Sequence, residues 1–350
     1  MSVVPITSSF QSESPLHPKA AKLLSEVFER GWADPAKIHE PSRQLGRLLQ
    51  EAKETFSAAL GVRSDEIYFL GEPPLGFHLG ISGLLTPESC LYFSGTDRAP
   101  VHALVSHRRG QNLSALESVS EKGTSRDVLV YQPINPETGI FSPHPENFLG
   151  KVFVDNTAYG VRAELPENWA TAMWQSRSWQ GPAGLGVIAI KNETSWRNPL
   201  PHTDASKVPQ SFSIPLALTT AVALESFTAD YNEARTRTIE FRERISRYLI
   251  QKIGDVSVVG EDLQTSPYLL SAIIAGVDSE KLVSDLNARG IAIDTGSACM
   301  SGSLAPSHVL AAMGLSVTGN IRITLHPQIN NSDIENLLHH LRELILQQRN

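Results

Sequence analysis

The sequence predicts an α/β protein with a larger and a smaller domain, and three observations support this fold class. The chain has 350 residues, which is longer than a typical single domain. Apolar runs of strand length alternate with amphipathic stretches of helix length. These runs are continuous, which is typical of strands in a mainly parallel sheet covered on both faces. The pattern then changes near Ser213, where a long helical stretch begins.

The first part of the chain carries the predicted large sheet. Ser42–Leu60 has the pattern of a helix, and Glu66–Leu70 that of a buried strand. The same strand signal recurs four times, at Leu91–Ser94, Val128–Tyr131, Val152–Asp155 and Val187–Ile190. We therefore expect a large α/β domain at residues 15–230.

The second part is predicted to be a smaller α+β domain at residues 231–350, with residues 1–14 packing on it. A helical pattern runs from about Ser213 to Ile253, and a capping box at Ser332–Glu335 is predicted to open the last helix. Between them come short predicted strands at 256–259, 268–274, 291–293 and 320–325, and helices at 279–289 and 308–313.

Composition excludes several classes of protein. The chain is 41% hydrophobic and 19% charged with a net charge of −7, which gives no reason to expect a nucleic-acid partner. It has no window of 18 apolar residues and no secretory signal pattern, so no membrane partner is expected. The two cysteines, Cys90 and Cys299, lie in different contexts and favour a reducing compartment. We expect a cytoplasmic protein.

Three residues are candidates for chemistry, each with a structural alternative. Cys299 lies among small residues in the loop Thr295–Leu304, where a thiol can be exposed and partly ionised; the alternative is a buried structural cysteine. Asp155, at a predicted strand end, either meets a cationic group or serves a turn. Arg322, inside a predicted strand, either binds a carboxylate or pairs with a neighbour.

No metal site is predicted. His102, His308 and His326 show no ligand spacing together with Cys299. His339 and His340 are adjacent on a predicted helix, and we expect their side chains to point in different directions.

The loop Gly296–Leu310 resembles the active-cysteine loop of cysteine desulfurases of the NifS/IscS type, which are class V of the aminotransferase superfamily. Gly181–Gly186 resembles the glycine turn that follows the cofactor lysine in that family. The resemblance implies a pyridoxal-phosphate (PLP) type I fold, with a mostly parallel seven-stranded sheet, a small C-terminal domain and a homodimer.

The resemblance also implies roles for individual residues. Cys299 would hold sulfur as a persulfide, and Asp155, in Val154–Thr157, would pair with the pyridine nitrogen of PLP. Arg322 and Asn135 would bind the substrate, Arg322 through its carboxylate.

The sequence departs from the family pattern at several cofactor positions. Ser178 stands where the family has its lysine, and a hydroxyl cannot form a Schiff base. Lys191 lies beyond the following strand and is expected to be too far away to substitute. Pro73 and Pro74 remove amide donors from the phosphate loop. Arg98 replaces a ring-stacking histidine, and Ala158 replaces a glutamine.

These departures predict a protein that forms no PLP aldimine and has no cofactor. It would be a sulfur carrier acting through Cys299, or a regulatory relative in sulfur or iron–sulfur metabolism. Its partners would be a second copy of the chain and a sulfur-transfer or iron–sulfur assembly protein. The alternative is an active PLP-dependent cysteine desulfurase or class V aminotransferase with an unrecognised lysine.

Overall fold

The structure is a computed structural model, which describes residues 7–13, 15–30, 33–106, 110–113, 123–158, 161, 164–201, 208, 211–296 and 306–349. The chain forms two compact units. The large unit comprises Leu16–Pro133 and Ser142–Ala229, and the small unit comprises Met1–Pro15, Ile134–Phe141 and Asp230–Asn350. Residues 134–141 were expected in the first domain. They lie with the small unit, where Ile140 forms a β-bridge to Thr265.

The helices and strands are numbered in chain order. The helices are α1 (Pro18–Arg30), α2 (Glu40–Leu60), α3 (Leu75–Ser82), α4 (Ala99–Val105), α5 (Ile214–Tyr248), α6 (Ser279–Asn287), α7 (His308–Ala312) and α8 (Asn331–Arg349). The strands are β1 (Ser8–Ser9), β2 (Ile67–Leu70), β3 (Leu91–Ser94), β4 (Gly110–Leu113), β5 (Val128–Tyr131), β6 (Lys151–Asp155), β7 (Trp169–Gln175), β8 (Gly186–Ile190), β9 (Val256–Val258), β10 (Leu269–Ile274), β11 (Ile291–Ala292), β12 (Asp294–Thr295) and β13 (Asn320–Thr324). No helix formed by these residues is long and apolar enough to cross a membrane.

The large unit is built on a seven-stranded sheet of order β2-β8-β7-β6-β5-β3-β4. Strand β8 runs antiparallel to β2 and β7, while the pairs from β7 to β4 are all parallel. The predicted mostly parallel seven-stranded sheet is confirmed. Every residue of β5 and β8 is buried, which explains why their sequences are continuous apolar runs.

Two strands of this sheet were not predicted. Strand β4 lies at the sheet edge with three of its four residues exposed, so its sequence, GQNL, lacks an apolar run. Strand β7 is central, but Thr171 interrupts its apolar residues. The buried Thr171 hydroxyl is satisfied because it donates to the Gly80 carbonyl of α3 at 2.9 Å.

The small unit is built on a four-stranded antiparallel sheet of order β12-β13-β10-β9. Buried side chains of α6 and α8, such as Leu282, Leu286, Leu337 and Leu341, form one hydrophobic cluster with those of the sheet. Strand β1 pairs in parallel with β11. Next to it, the Thr324 amide donates to the Phe10 carbonyl at 2.7 Å, so the N-terminal segment is bonded to the small unit.

Helix α8 begins two residues earlier than the sequence predicted. Asn330 is its N-cap, because its Oδ1 accepts hydrogen bonds from the amides of Ser332 and Asp333 at 2.8 and 3.2 Å. The Asp333 carboxylate accepts from the Asn330 amide in return, at 3.0 Å. The predicted capping box at Ser332–Glu335 is therefore wrong, since an equivalent reciprocal pair forms upstream.

Replacing Asn330 with alanine should lower the free energy of unfolding by about 1 kcal/mol, because two amides of the first turn of α8 lose their acceptor. Ser332→Ala is the matched control and should change it by no more than a few tenths of a kcal/mol. Urea unfolding followed by circular dichroism measures both. Equal destabilisation by the two substitutions would contradict the assignment of the cap.

Candidate functional site

A tight turn joins β7 to β8. Strand β7 ends at Gln175, and a 3-10 turn covers Ser176–Trp179. Trp179 is fully buried and packs edge-on against Phe56, with ring centroids 6.0 Å apart, which anchors the turn to the core. The Ser178 hydroxyl donates to the Gln175 carbonyl at 2.8 Å. Residue 178 is therefore bonded back into its own turn.

The backbone explains why glycine occupies two positions after this turn. A Cβ on Gly181 would lie 2.8 Å from the Ser176 carbonyl oxygen, which accepts the Gly181 amide at 2.9 Å. Gly184 has a φ of 83°, a left-handed conformation that side chains disfavour. These residues reverse the chain so that β8 runs antiparallel to β7, and they contribute no side-chain chemistry.

The carboxylate of Asp155, at the end of β6, is buried and surrounded by polar partners. Its Oδ1 accepts from the amide and the hydroxyl of Thr157, at 3.0 and 2.6 Å. Its Oδ2 accepts from Gln132 Nε2 at 3.1 Å and lies 3.6 Å from Arg98 Nε. Asp155 thus closes a local turn and also lies beside the cationic Arg98, while its role toward a cofactor stays a prediction.

Asp97, next to Arg98, is also buried in this cluster. Burial, opposed by a hydrogen bond from the Ser94 amide and assisted by the charge of Asp155, raises the pKa of Asp97 to about 8. The raised pKa favours the protonated form of Asp97, which limits the buried negative charge of the cluster.

The first three backbone amides of α3 already donate hydrogen bonds within the chain, so they are not available to a phosphate. Pro73 and Pro74 have no N–H. The amides of Leu75, Gly76 and Phe77 donate to the carbonyls of Glu72, Pro73 and Pro74 at 3.0, 3.0 and 3.3 Å. These three amides are therefore used within the segment, and the expectation that it does not cradle a phosphate stays a prediction.

In the small unit, Arg322 lies in β13 and is buried. Its Nη2 donates to the Thr295 carbonyl at 2.8 Å. Asp294 stands opposite Arg322 in the sheet. Burial raises the pKa of Asp294, and the Arg322 charge lowers it in part. Arg322 thus contacts the two residues at the root of the segment that leads to Cys299.

Asn135 organises a short loop of the small unit. Its Oδ1 accepts from the amides of Glu137 and Thr138, at 2.9 and 3.1 Å. The Glu137 carboxylate accepts from the Ser307 hydroxyl at 2.6 Å. Cys299 lies outside the described residues, in the segment 297–305. The chain on both sides of that segment is therefore fixed, by Arg322 before it and by Glu137 after it.

Several members of these clusters were not predicted from the sequence. Gln132 and Glu137 carried no motif of their own, because their partners, Asp155 and Ser307, are distant in sequence. Asp97 has a local partner, the Ser94 amide, but its place beside Asp155 depends on the order of the strands. Thr157 had a local signal, since a threonine two residues after an aspartate is typical of a turn closed by the aspartate side chain.

The prediction that His339 and His340 point in different directions is wrong. Their rings lie with centroids 4.9 Å apart, and ligand atoms of both lie within 4.8 Å of a Glu343 carboxylate oxygen. Adjacent residues on a helix diverge at Cβ, but long side chains can converge on a residue one turn later.

Comparisons with known proteins bear on the whole chain. The aminotransferase class-V family model matches residues 176–337. A cysteine desulfurase from Trichormus azollae is 24% identical over 94% of this chain and 90% of its own. The cysteine desulfurase IscS of Dictyoglomus turgidum is 23% identical over 96% and 93%. A solved NifS-like protein superposes with a TM-score of 0.82 at 16% identity, covering 97% of this chain and 99% of that one.

These findings confirm the resemblance to cysteine desulfurases and the PLP type I fold. The prediction of no cofactor is wrong, because the relatives are cysteine desulfurases and these enzymes depend on PLP. The site fits this cofactor at one end, where the buried carboxylate of Asp155 suits a pyridine nitrogen. It does not fit a covalent link at Ser178 or a phosphate at the start of α3.

Replacing Asp97 with asparagine should flatten the dependence of stability on pH. The unfolded carboxyl ionises near pH 4, whereas the folded one stays protonated up to about 8. The folded state therefore holds the extra proton between these values, and wild-type stability falls as pH rises through this window. The wild-type slope should be steeper than that of the variant by up to about 1.4 kcal/mol per pH unit.

Chemical unfolding at a series of pH values between 5 and 8 measures these slopes. The exposed Asp262→Asn is the control and should keep the wild-type slope. Parallel stability curves for wild type and Asp97→Asn would show that Asp97 is ionised in the folded protein.

Proposed function

We propose that this chain, similar over most of its length to cysteine desulfurases, acts in sulfur metabolism as a sulfur carrier through Cys299. We further propose that it binds PLP without a covalent bond to residue 178. The protein would act in the cytoplasm as a homodimer, and its partner would be a protein that donates or accepts sulfur.

The chemistry of the Ser178 side chain is the observation that supports a noncovalent PLP site. It has no amine, and its hydroxyl donates to the Gln175 carbonyl. Lys191, the first lysine after the turn, donates its Nζ proton to the Glu167 carbonyl at 3.1 Å, at an exposed position. Neither residue supplies an amine to the cluster around Asp155.

When bound, PLP supplies an electron sink at its ring. Asp155 is the residue that would hold the ring nitrogen, since Thr157 and Gln132 already fix its carboxylate. Arg98 balances the negative charge of Asp155 from 3.6 Å. A ring nitrogen that approached Oδ2 would therefore share that oxygen with Gln132 and Arg98.

Sulfur transfer to Cys299 requires no cofactor. The Cys299 thiolate attacks the outer sulfur of a donor persulfide, a new S–S bond forms, and the donor leaves as a thiolate. One S–S bond breaks as another forms, so the exchange needs no added oxidant or reductant. Fixed ends on either side of the Cys299 segment support this role, because they limit the region that a partner's persulfide must reach.

Arg322 and Asn135 are the proposed contacts for a substrate carboxylate. Arg322 is buried with one guanidinium nitrogen bonded to the Thr295 carbonyl. Asn135 lies in a short loop of the same unit, where its Oδ1 accepts from the amides of Glu137 and Thr138.

Ser178→Lys tests the proposed lack of a covalent link. After incubation with PLP and borohydride reduction, the wild-type protein should gain no cofactor mass, whereas the variant should gain one cofactor per chain at residue 178. Arg177→Lys is the matched control: it places an amine one residue away, on an exposed position, and should gain none. Peptide mapping by mass spectrometry locates any adduct. A wild-type adduct at another lysine would instead support an active enzyme.

Cys299→Ser tests the carrier role. Incubation with glutathione persulfide should add one sulfur atom to the wild-type chain, and the substitution should abolish this gain because it removes the attacking thiolate. Cys90→Ser is the control and should keep the gain, since Cys90 precedes a core strand. Intact-mass spectrometry with and without a reductant reads the result. Sulfur uptake that persists in Cys299→Ser but is lost in Cys90→Ser would overturn the proposal.

A further inference from the structure

Helix α8 carries three metal-ligating side chains on one part of its surface. They are His339, His340 and Glu343, and one ligand atom from each lies within 4.8 Å of the others. Their spacing explains this proximity. Glu343 comes four residues after His339 and three after His340, so both imidazoles reach the same carboxylate across one helical turn.

The Glu343 carboxylate is held in a fixed orientation. Its Oε1 accepts from Arg289 Nη2 at 3.0 Å and from Gln347 Nε2 at 3.2 Å. Its Oε2 faces His340 Nδ1 at 3.5 Å. Outer partners of this kind orient carboxylate ligands in metal sites. Because both donors engage Oε1, Oε2 is the oxygen left to face the His340 imidazole.

The burial of His340 Nδ1 is a further observation that points to a bound ion. This nitrogen is shielded from solvent, and its contact with Glu343 Oε2, at 3.5 Å, is longer than an ordinary hydrogen bond. A shielded polar atom that is poorly satisfied is costly. The Glu343 side chain is 40% exposed, so an ion can enter from solvent and satisfy both the ring nitrogen and Oε2.

We propose that His339, His340 and Glu343 form a binding site for a divalent transition-metal ion, with Zn²⁺ as the representative ion. Two imidazole nitrogens and one carboxylate oxygen suit Zn²⁺, whereas Mg²⁺ and Ca²⁺ prefer all-oxygen ligands. Three protein ligands leave a coordination position for water or another ligand. The site belongs to the small unit and is independent of the proposed sulfur chemistry.

The test is a Zn²⁺ titration of the full-length, untagged, metal-stripped protein by calorimetry. Wild type should bind one Zn²⁺ per chain at this site. His340→Ala and Glu343→Gln should each weaken binding by about tenfold or more, and His339→Ala/His340→Ala should abolish it. His144→Ala is the matched control and should leave binding unchanged, because among the described residues His144 pairs with Glu146 at 3.8 Å but belongs to no group of three possible ligands.

Cysteine thiolates also bind Zn²⁺, so the titrations are repeated in a Cys90→Ser/Cys299→Ser background. One Zn²⁺ per chain should remain there. Co²⁺ in place of Zn²⁺ should then give d–d absorption without thiolate charge transfer. Circular dichroism confirms that each variant is folded. The proposal is wrong if His340→Ala and Glu343→Gln bind Zn²⁺ as tightly as wild type, or if the serine background removes all binding.

Discussion

The large unit depends on one constraint, the burial of the Asp155 carboxylate at the end of a central parallel strand. A buried carboxylate is stable only when its charge and both oxygens are matched. Parallel strands bring their carboxyl ends to one edge of the sheet. Gln132 follows β5, Arg98 follows β3 and Asp155 ends β6, so the strand order β6-β5-β3 places three partners together.

This edge of the sheet, at the carboxyl ends of the parallel strands, can hold few buried negative charges. Burial raises the pKa of Asp97, which favours its neutral form and reduces the negative charge that Arg98 has to balance. The neighbouring β7 joins the arrangement through Gln175, whose Nε2 donates to the Thr157 carbonyl at 2.9 Å. Ser178 follows directly in the next turn. The residues that resemble the cofactor positions of the family thus lie along one edge of the sheet.

The small unit organises a different set of residues. Arg322 and Thr295 fix the chain before residue 297, and Glu137 and Ser307 fix it after residue 305. Both anchors are side-chain hydrogen bonds within the unit, and one comes from the Asn135 loop. The family fold alone does not establish an activity, because function resides in the site. The fold and the proposed role of Ser178 therefore need separate experiments.

The sequence by itself determined the α/β class, five of the seven strands of the large sheet and the position of Asp155 at a strand end, because continuous apolar runs and the residues that end them are local signals. It also placed Ser178 and Cys299 in recognisable segments. Only the tertiary structure decided that Arg98 and Gln132 meet Asp155, that Asn330 caps α8, and that His339, His340 and Glu343 converge. These contacts depend on strand order and on the reach of long side chains, and neither is encoded in a short window of sequence.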